Sequence, residues 1–346
     1  MIYFNSDYLE GAHPSIMVKM AETNMVQTVG YGEDEYCEAA REKIKTACQA
    51  PEADVHFLVG GTQTNTTVIA AILRPWQGVI SAVSGHINCH EAGAIESTGH
   101  KVITLPTDNG KITAQQVADY VEWHKNDEST EHIVQPGMVY ISHPTEAGTL
   151  YTKAELTELY DTCRRYGLPL YIDGARLGYG LAADESDMTL PEFARLCDVF
   201  YIGGTKVGAL FGEAVVIMNE SLKKDFRFIM KQRGGRLAKG RLLGIQFDAL
   251  FTDDLYFKIS RHAIEMAHQI RDIFVSAGYP LLFDSPTNQQ YPIMPDAELA
   301  EIGKSFGYEY WERVDETHSG VRFCASWATT QENVDALREA VNALKK

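Results

Sequence analysis

Short apolar runs alternate with amphipathic helical patterns through the middle of the chain, between residues 55 and 218. Several of these runs are continuously apolar, which is typical of strands that are buried on both faces. The predicted strands are Val55–Val59, Gly78–Ala82, Val102–Leu105, Met138–Ser142, Leu168–Asp173, Asp198–Ile202 and Ala214–Met218. The predicted helices between them are Thr64–Leu73, Thr113–His124, Lys153–Tyr166 and Thr189–Leu196. The alternation predicts an α/β fold in which a mostly parallel central sheet is flanked by helices.

The pattern changes near Gly234, where long helical patterns replace the alternation. The elements predicted beyond this point are the helices Leu242–Leu250, Tyr256–Ala277 and Gln331–Lys345 and the strands Tyr279–Phe283, Gln290–Ile293 and Val321–Ala325. We therefore expect a large domain over residues 1–240 and a smaller C-terminal α/β domain over residues 241–346.

The composition narrows the possible partners and surroundings. The 346 residues carry a formal net charge of −16 at pH 7, and such a charge repels nucleic-acid phosphates and anionic membranes. No apolar run approaches the roughly 20 residues of a membrane helix, and Met1–Asp7 lacks the basic and apolar regions of a signal peptide. The six cysteines are scattered without a C-x-x-C pair, which is typical of reduced thiols. We therefore expect a cytoplasmic protein that binds neither nucleic acid, nor membrane, nor metal.

Lys206 follows an apolar run after a Gly-Gly-Thr turn, and glycines continue at Gly208 and Gly212. A lysine just past a strand lies at the mouth of the sheet, where α/β proteins place ligands. Partial desolvation there lowers the pKa of the amine, as a lysine that forms a Schiff base requires. The alternative is a surface lysine that caps the strand, and this segment alone favours neither interpretation.

Asp173 ends another apolar run and is followed by Gly174-Ala175-Arg176. Burying a lone carboxylate is costly, so this residue needs a partner or a chemical role. An enzyme that uses pyridoxal 5′-phosphate (PLP) needs such an acid beside the pyridinium nitrogen, and Arg176 could present its fork to a carboxylate or a phosphate. The alternative is an ion pair between Asp173 and Arg176 that only closes the turn.

Two further segments carry weaker signals. Gly60–Asn65 is a glycine-rich turn between a strand and a helix, and its amides could hold a phosphate. His86 follows a predicted strand and could stack on a flat ring or act as a base. A metal site at His86 and His90 lacks an obvious third ligand. In chain order, these parts are a phosphate cup, a ring-stacking group, a pyridinium partner and a Schiff-base amine, which together predict a PLP site.

With these residues assembled, the sequence resembles the low-specificity L-threonine aldolase and β-eliminating lyase family, which has the fold-type-I architecture of PLP-dependent transferases. The resemblance runs over most of the chain. Asp173-Gly174-Ala175-Arg176 matches the family's D-G-A-R motif, and Gly60–Asn65 matches its phosphate loop with glycine in place of serine. The resemblance implies PLP as the cofactor. The cofactor-binding residues that it implies are Gly61, Thr62, Gln63, His86, Asp173, Arg176 and the Schiff-base lysine Lys206, with Glu91 near the ring.

The resemblance also implies the groups that bind an amino acid. Asn5-Ser6-Asp7 is similar to the family's Arg-Ser-Asp opening, and Val321-Arg322-Phe323 matches a C-terminal arginine. Ser6, Arg176 and Arg322 therefore inherit contacts with the substrate carboxylate. Tyr31 inherits a role in a neighbouring subunit's site, because family members are homodimers or homotetramers with shared sites. In the basic stretch 231–241, Lys239 and Arg241 are candidates for the neighbour's phosphate.

The reaction that the resemblance implies is the aldol cleavage of an L-β-hydroxy-α-amino acid, such as threonine or allo-threonine, to glycine and an aldehyde. The segment Ile141–Gly148 departs from the family's Asn-Thr-His-Asn pattern but contains His143, so His86 or His143 is expected to take the hydroxyl proton. Two alternatives remain at this point. The same site could eliminate a β-substituent or transaminate another small amino acid, or the chain could be a non-catalytic relative, against which the full set of site residues argues.

Overall fold

The computed structural model describes residues 1–345, so that Lys346, the last residue of the predicted smaller domain, lies outside the described part. The strands are β1 (Ile2–Tyr3), β2 (Asp54–Leu58), β3 (Gln77–Ala82), β4 (Val102–Leu105), β5 (Gln135–Ser142), β6 (Leu170–Asp173), β7 (Val199–Gly203), β8 (Glu213–Ile217), β9 (Gln289–Gln290), β10 (Ile293–Pro295), β11 (Phe306–Gly307), β12 (Glu309–Arg313) and β13 (His318–Cys324). The helices are α1 (Pro14–Thr23), α2 (Glu35–Cys48), α3 (Gly61–Ile72), α4 (His86–Cys89), α5 (Ala114–Asn126), α6 (Lys153–Tyr166), α7 (Leu177–Ala182), α8 (Leu190–Ala194), α9 (Phe226–Gln232), α10 (Arg241–Leu250), α11 (Leu255–Ser276), α12 (Asp296–Ile302) and α13 (Gln331–Ala343).

A seven-stranded sheet forms the centre of the molecule, in the order β2-β8-β7-β6-β5-β3-β4. The pairs that β8 makes with β2 and β7 are antiparallel, and the other pairs are parallel. The prediction of a mostly parallel central sheet is therefore confirmed. Because Ser142 pairs with Asp173 in register, the carboxyl ends of β5 and β6 meet at one edge, where ligands of such sheets bind.

Local signals fix the ends of the helices that flank this sheet. Helix α6 begins with a capping box in which Thr152 and Glu155 bond each other's backbone amides. It ends at Gly167, whose φ of 69° is in the left-handed region that glycine tolerates. Helix α3 begins at Gly61 without a side-chain cap, so that the free amides of its first turn point past the end of β2.

The apolar core forms separate clusters rather than one. A large cluster joins one face of the sheet to α10 and the first half of α11, as far as Ile264. A second cluster joins Phe4 to the later half of α11, β13 and α13. The predicted domain boundary at residue 241 remains a prediction. Helix α10 and the first half of α11 follow this boundary in the chain but pack against the central sheet.

The C-terminal region contains one wrong element prediction. Tyr279–Phe283 is not a strand, and its one ladder contact is an isolated bridge between Leu281 and Pro292. Proline removes an amide that a ladder would use, and Pro280 and Pro292 interrupt both sides of this contact. The pattern also missed the short charged strand β12, because four of its five residues are exposed.

Candidate active site

Two adjacent cavities open at the carboxyl ends of the central strands. The inner cavity, of about 320 Å³, brings together six of the predicted residues, namely Gly61, Thr62, His86, Asp173, Arg176 and Lys206. The outer cavity, of about 260 Å³, shares His86, Arg176 and Lys206 with it and adds the predicted Arg322. Most of the predicted site therefore converges in space, although its residues are spread over most of the chain.

Asp173 lies on the floor of the inner cavity with both carboxylate oxygens hydrogen-bonded. Oδ2 accepts from the Tyr140 hydroxyl at 2.7 Å and from Asn65 Nδ2 at 3.1 Å, while Oδ1 accepts from the Ala175 amide at 3.0 Å and from the Tyr201 hydroxyl. Burial raises the pKa of Asp173, but the nearby His86 and these donors outweigh it and hold the pKa below its usual value. Asp173 is thus a fixed anion at neutral pH.

A hydrogen-bonded chain connects this anion to His86. Asn65 Nδ2 also donates to Glu91 Oε1 at 2.7 Å, and the same oxygen lies 2.8 Å from His86 Nδ1. Burial lowers the pKa of His86, but the bond to Glu91 and the charge of Asp173 raise it above its ordinary value. His86 therefore lines both cavities in surroundings that favour its protonated form.

Lys206 follows β7 on a turn that is rigidly braced. Its carbonyl accepts from the Tyr179 hydroxyl at 2.6 Å, and its amine lies 6.0 Å from the centroid of the Tyr8 ring. Burial lowers the pKa of the Lys206 amine, and the charge of Arg176 lowers it further. A lowered pKa supplies the neutral, nucleophilic amine that a Schiff base requires.

Beneath this lysine lies Glu213, the first residue of β8, which is 3% exposed. Its carboxylate accepts from the Thr205 hydroxyl at 2.8 Å and from the Gly204 amide at 3.0 Å. Burial raises the pKa of Glu213 to about 8, despite these bonds and the charge of Lys206. Glu213 therefore favours its protonated form near neutral pH, and it lines the same cavity as Lys206.

The beginning of α3 forms the third wall of the inner cavity. Gly61 and Thr62 line it, whereas the side chain of Gln63 turns away, accepting from the Val59 amide and donating to the Arg233 carbonyl. Gln63 can therefore contribute only its backbone amide. A methyl group added at Gly61 would lie 3.2 Å from the Tyr201 hydroxyl, which explains why a small residue stands here.

The first turn of α3, Asp173 and Lys206 form three sides of the inner cavity that together fit PLP. The open first turn of α3 matches the phosphate, since helix N-termini attract anions. The buried carboxylate of Asp173 matches a protonated pyridine nitrogen, and Lys206 matches the aldehyde. Since each polar part of the cofactor meets a group of complementary charge, we take Gly61, Thr62, Asp173 and Lys206 as the residues that hold it.

The structure rejects the alternative in which Arg176 only closes the turn with Asp173. Arg176 instead makes a bidentate pair with Asp7, with Nε–Oδ2 and Nη2–Oδ1 distances of 2.6 and 3.0 Å. Asp7 is fully buried, and Asn288 donates to it at 2.9 Å. Burial raises the pKa of Asp7, but Arg176 and Lys206 lower it to about 2. Arg176 keeps Nη1 outside this pair and lines both cavities.

The N-terminal segment Asn5–Asp7 connects both predicted carboxylate-binding arginines. Arg322 Nη2 donates to the Asn5 carbonyl at 3.1 Å and to Glu309 at 2.9 Å, while Asp7 holds Arg176. Ser6 lies between these two anchor points, and its buried hydroxyl has no hydrogen-bond partner among residues 1–345. Ser6 lines neither cavity and its hydroxyl is enclosed, so its contact with a carboxylate stays a prediction.

Besides Ser6 and the side chain of Gln63, two predicted residues lie outside both cavities. His143 is 1% exposed and packs against Phe193 and Tyr151, at ring-centroid distances of 5.1 and 6.4 Å. Tyr31 lies on the surface with Lys231 4.6 Å from its ring centroid, and its role in a neighbouring subunit's site stays a prediction.

The two basic candidates between residues 231 and 241 also lie outside the cavities. Lys239 is exposed, whereas Arg241 donates to the carbonyls of Val26 and Asn24 after α1. The structure therefore brings neither residue to the phosphate wall of its own chain.

Sequence reasoning overlooked Asp7, Tyr8, Glu146 and Glu213. Asp7 stands beside Ser6 in a motif that the resemblance had already marked, and Glu146 lies four residues after the last residue of β5. Position beside the carboxyl end of a central strand was therefore an available signal for Glu146. Tyr8 carried no comparable signal, because an exposed tyrosine near the N-terminus has no pattern of its own.

Comparisons with known proteins agree with this site. A family model of beta-eliminating lyases matches residues 4–339. A solved structure described as Leishmania major threonine aldolase is 42% identical, covers 100% of both chains and superposes with a TM-score of 0.97. A low specificity L-threonine aldolase of Pseudomonas aeruginosa is 28% identical over 96% of this chain and 95% of its own. A histidinol-phosphate aminotransferase from Clostridium acetobutylicum, 12% identical with a TM-score of 0.75 over 100% of this chain and 99% of its own, shares the fold.

The fold and the cavities define a fold-type-I PLP-dependent enzyme. Because the family model spans nearly the whole chain, this protein belongs to the beta-eliminating lyase family, and within it to the threonine aldolase group of PLP-dependent lyases.

Proposed function

We propose that this enzyme cleaves the Cα–Cβ bond of an L-β-hydroxy-α-amino acid, such as threonine or allo-threonine, and releases glycine and an aldehyde. The observation that carries the proposal is the placement of two arginines around the Lys206 amine. Arg176 and Arg322 both line the outer cavity with Lys206, so that an amino acid can present its carboxylate to the arginines and its amine to the cofactor. The similarity to threonine aldolases supports the same reaction.

Each residue then has a defined task. Arg176, oriented by Asp7, and Arg322, held by Glu309, bind the carboxylate and so fix the orientation of the bonds at Cα. The predicted contact of Ser6 with this carboxylate would require its enclosed hydroxyl to become accessible when the substrate binds. When bound, PLP supplies an electron sink for the pair released from the broken Cα–Cβ bond. Asp173 stays ionised beside the ring nitrogen and keeps that nitrogen protonated.

A substrate panel tests the proposal. The purified protein with PLP is offered threonine, allo-threonine, phenylserine and cysteine, and the products are identified. We expect glycine and an aldehyde in equal amounts from the β-hydroxy substrates. A keto acid with ammonia or sulfide as the main product would instead support elimination, which the family name also includes. A keto acid formed without ammonia would support transamination.

We also propose that the enzyme is a homodimer or homotetramer whose sites are shared between subunits. The support is an exposed apolar surface on and after α1, where Met17, Val18, Met25 and Val29 are 47%, 56%, 88% and 66% exposed. Tyr31 lies next to this surface, and patches of this kind usually mark protein contacts. Light scattering on the purified protein should give at least twice the 38.5 kDa of one chain, and a monomeric mass would refute this assembly.

A cytoplasmic location is part of the same proposal. All six cysteines, which lie within the described residues, are free thiols, as is usual in a reducing compartment. No helix of the described residues is long and apolar enough to cross a membrane. Fractionation of the source cells that recovered the protein only outside the cytoplasm would contradict this location.

A further inference from the structure

The boundary between the inner and outer cavities is where the β-carbon of a substrate must lie. Five residues line both cavities, namely Tyr8, His86, Glu146, Arg176 and Lys206. An amino acid whose carboxylate is bound by Arg176 and Arg322, and whose amine is near Lys206, places its β-hydroxyl among these shared side chains. Glu146 is the carboxylate in this group.

The two oxygens of the Glu146 carboxylate have different surroundings. Oε1 accepts two hydrogen bonds, from the His86 amide at 2.8 Å and from the Ser142 hydroxyl at 2.6 Å. The backbone is also fixed, since the Tyr291 hydroxyl donates to the Glu146 carbonyl at 2.6 Å. Oε2 accepts no hydrogen bond within residues 1–345. Unlike the unpartnered Oε2 of Glu91, this atom is not fully enclosed by the protein. One oxygen is therefore anchored while the other is accessible from the cavities.

The two histidines expected to take the hydroxyl proton are less suited to it. His143 is enclosed between aromatic rings, and neither cavity includes it among its lining residues. His86 faces both cavities, but its pair with Glu91 and the charge of Asp173 favour its protonated form. Because Nδ1 of His86 already shares a hydrogen bond with Glu91, the unpartnered Oε2 of Glu146 is the better-placed acceptor at the boundary.

We propose that Oε2 of Glu146 is the base that takes the β-hydroxyl proton in the aldol cleavage. This inference rests on the proposed function. The hydroxyl proton moves to Oε2, and the O–H bonding pair becomes the second C–O bond of the aldehyde. The Cα–Cβ pair stays with Cα, which gains a proton from water while Oε2 returns its proton to water, so that the products contain all the atoms of the substrate and no oxidant is needed.

The electrostatic setting supports this role. Burial raises the pKa of Glu146, the bond from Ser142 lowers it, and the charge of Asp173 adds to the raising effect, so that the pKa lies above its usual value. A carboxylate with a raised pKa is a stronger base than one with an ordinary pKa. The titratable and charged groups that line the two cavities with it are Tyr8, His86, His90, Asp173, Arg176, Tyr201, Lys206, Glu213, Glu309 and Arg322.

Glu146→Gln tests the assignment, because the amide keeps the shape and can still accept at the anchored position but cannot take a proton. General-base catalysis contributes roughly 10²–10⁴-fold, so kcat for threonine or phenylserine should fall at least ~100-fold while KM changes little. The acidic limb of the kcat–pH profile should disappear. Exchange of the α-proton of glycine in D₂O should stay within about threefold of wild type, because glycine has no β-hydroxyl and this step needs no base at that position.

Two further variants complete the design. Glu158→Gln, on the exposed face of α6, is the matched control and should keep the wild-type kcat. Glu146→Asp keeps a carboxylate and should therefore retain a substantial part of the activity that Glu146→Gln loses. This variant also tests the assignment if the glutamine variant fails to fold.

The outcomes separate this inference from the function on which it rests. If wild type cleaves β-hydroxy amino acids and Glu146→Gln keeps kcat within about threefold, the base is another group. Equal loss of cleavage and of glycine exchange would likewise overturn the assignment, because it indicates a structural role. If wild type itself releases no aldehyde, the proposed function fails instead.

Discussion

The Asp7–Arg176 pair allows a prediction whose size follows from the structure. Asp7→Asn removes the buried anion while keeping its shape, which leaves the Arg176 charge uncompensated and puts an amide donor opposite Nη2, or opposite both Nε and Asn288. The lowering of the Asp7 pKa from 3.8 to about 2 corresponds to about 2 kcal/mol of preference for the ionised form in the folded protein. For a chain of this length, a loss of that size lowers the thermal midpoint by about 3 °C.

The lowered pKa of Asp7 also predicts how the difference in stability between wild type and Asp7→Asn changes with pH. Because the folded-state pKa is depressed, the stabilisation is fully present above the unfolded value near 3.8 and is lost as pH falls through about 2. The gap between the melting temperatures of wild type and Asp7→Asn should therefore be constant from pH 7 to about pH 4 and narrow below it.

The same variant should lower kcat/KM for a β-hydroxy amino acid by at least ~10-fold, because Arg176 loses its orientation. Differential scanning fluorimetry and steady-state kinetics measure both effects, with Asp161→Asn, an exposed change on α6, as control. Unchanged melting and unchanged kcat/KM in Asp7→Asn would refute the idea that Asp7 positions this arginine.

Three further substitutions have expected outcomes. Asp173→Asn should lower kcat at least ~100-fold, because a neutral amide cannot keep the ring nitrogen protonated. Activity within tenfold of wild type would contradict this role of Asp173. Gly61→Val should weaken PLP binding at least ~10-fold, measured by fluorescence titration, since its side chain would meet the Tyr201 hydroxyl; unchanged affinity would mean that the cofactor lies elsewhere. Glu213 has its folded-state pKa raised to about 8, so its stabilising contribution is present below the unfolded value near 4.5 and is lost as pH rises through 8. Glu213→Gln should therefore melt at increasingly higher temperature than wild type between pH 5 and 8, and a constant difference would contradict the raised pKa.

The sequence predicts the frame of this protein well because the frame depends on local patterns. Apolar runs such as β6 and β7 are buried on both faces, and their ends place Asp173 and Lys206 at one edge of the sheet. Helix α6, with its capping box and terminal glycine, spans the predicted Lys153–Tyr166. The C-terminal elements are harder to predict, because strands β9 and β10 are two and three residues long and owe their conformation to β13 rather than to their own sequence.

Loop side chains limit the prediction of the site. In the segment after β5 the sequence offers His143 and Glu146, and nothing local shows that the histidine turns into the core while the glutamate faces the cavities. Nothing local in the sequence shows that Asp7 is the partner of Arg176 either, since the two residues lie 169 positions apart in the chain. The two tyrosines that bond Asp173, Tyr140 and Tyr201, belong to different strands, so only the assembled sheet shows that they converge on one carboxylate.

The central claim is that Lys206 carries PLP in a site that Asp173 completes. Borohydride reduction of the PLP-loaded enzyme fixes the cofactor covalently to the amine that holds it, and peptide mass spectrometry then locates the modified residue. We predict a single pyridoxyl-modified lysine at Lys206, which threonine suppresses when it is added before reduction. Modification of a different lysine, with Lys206 unmodified in enzyme that still absorbs in the visible range, would contradict the account.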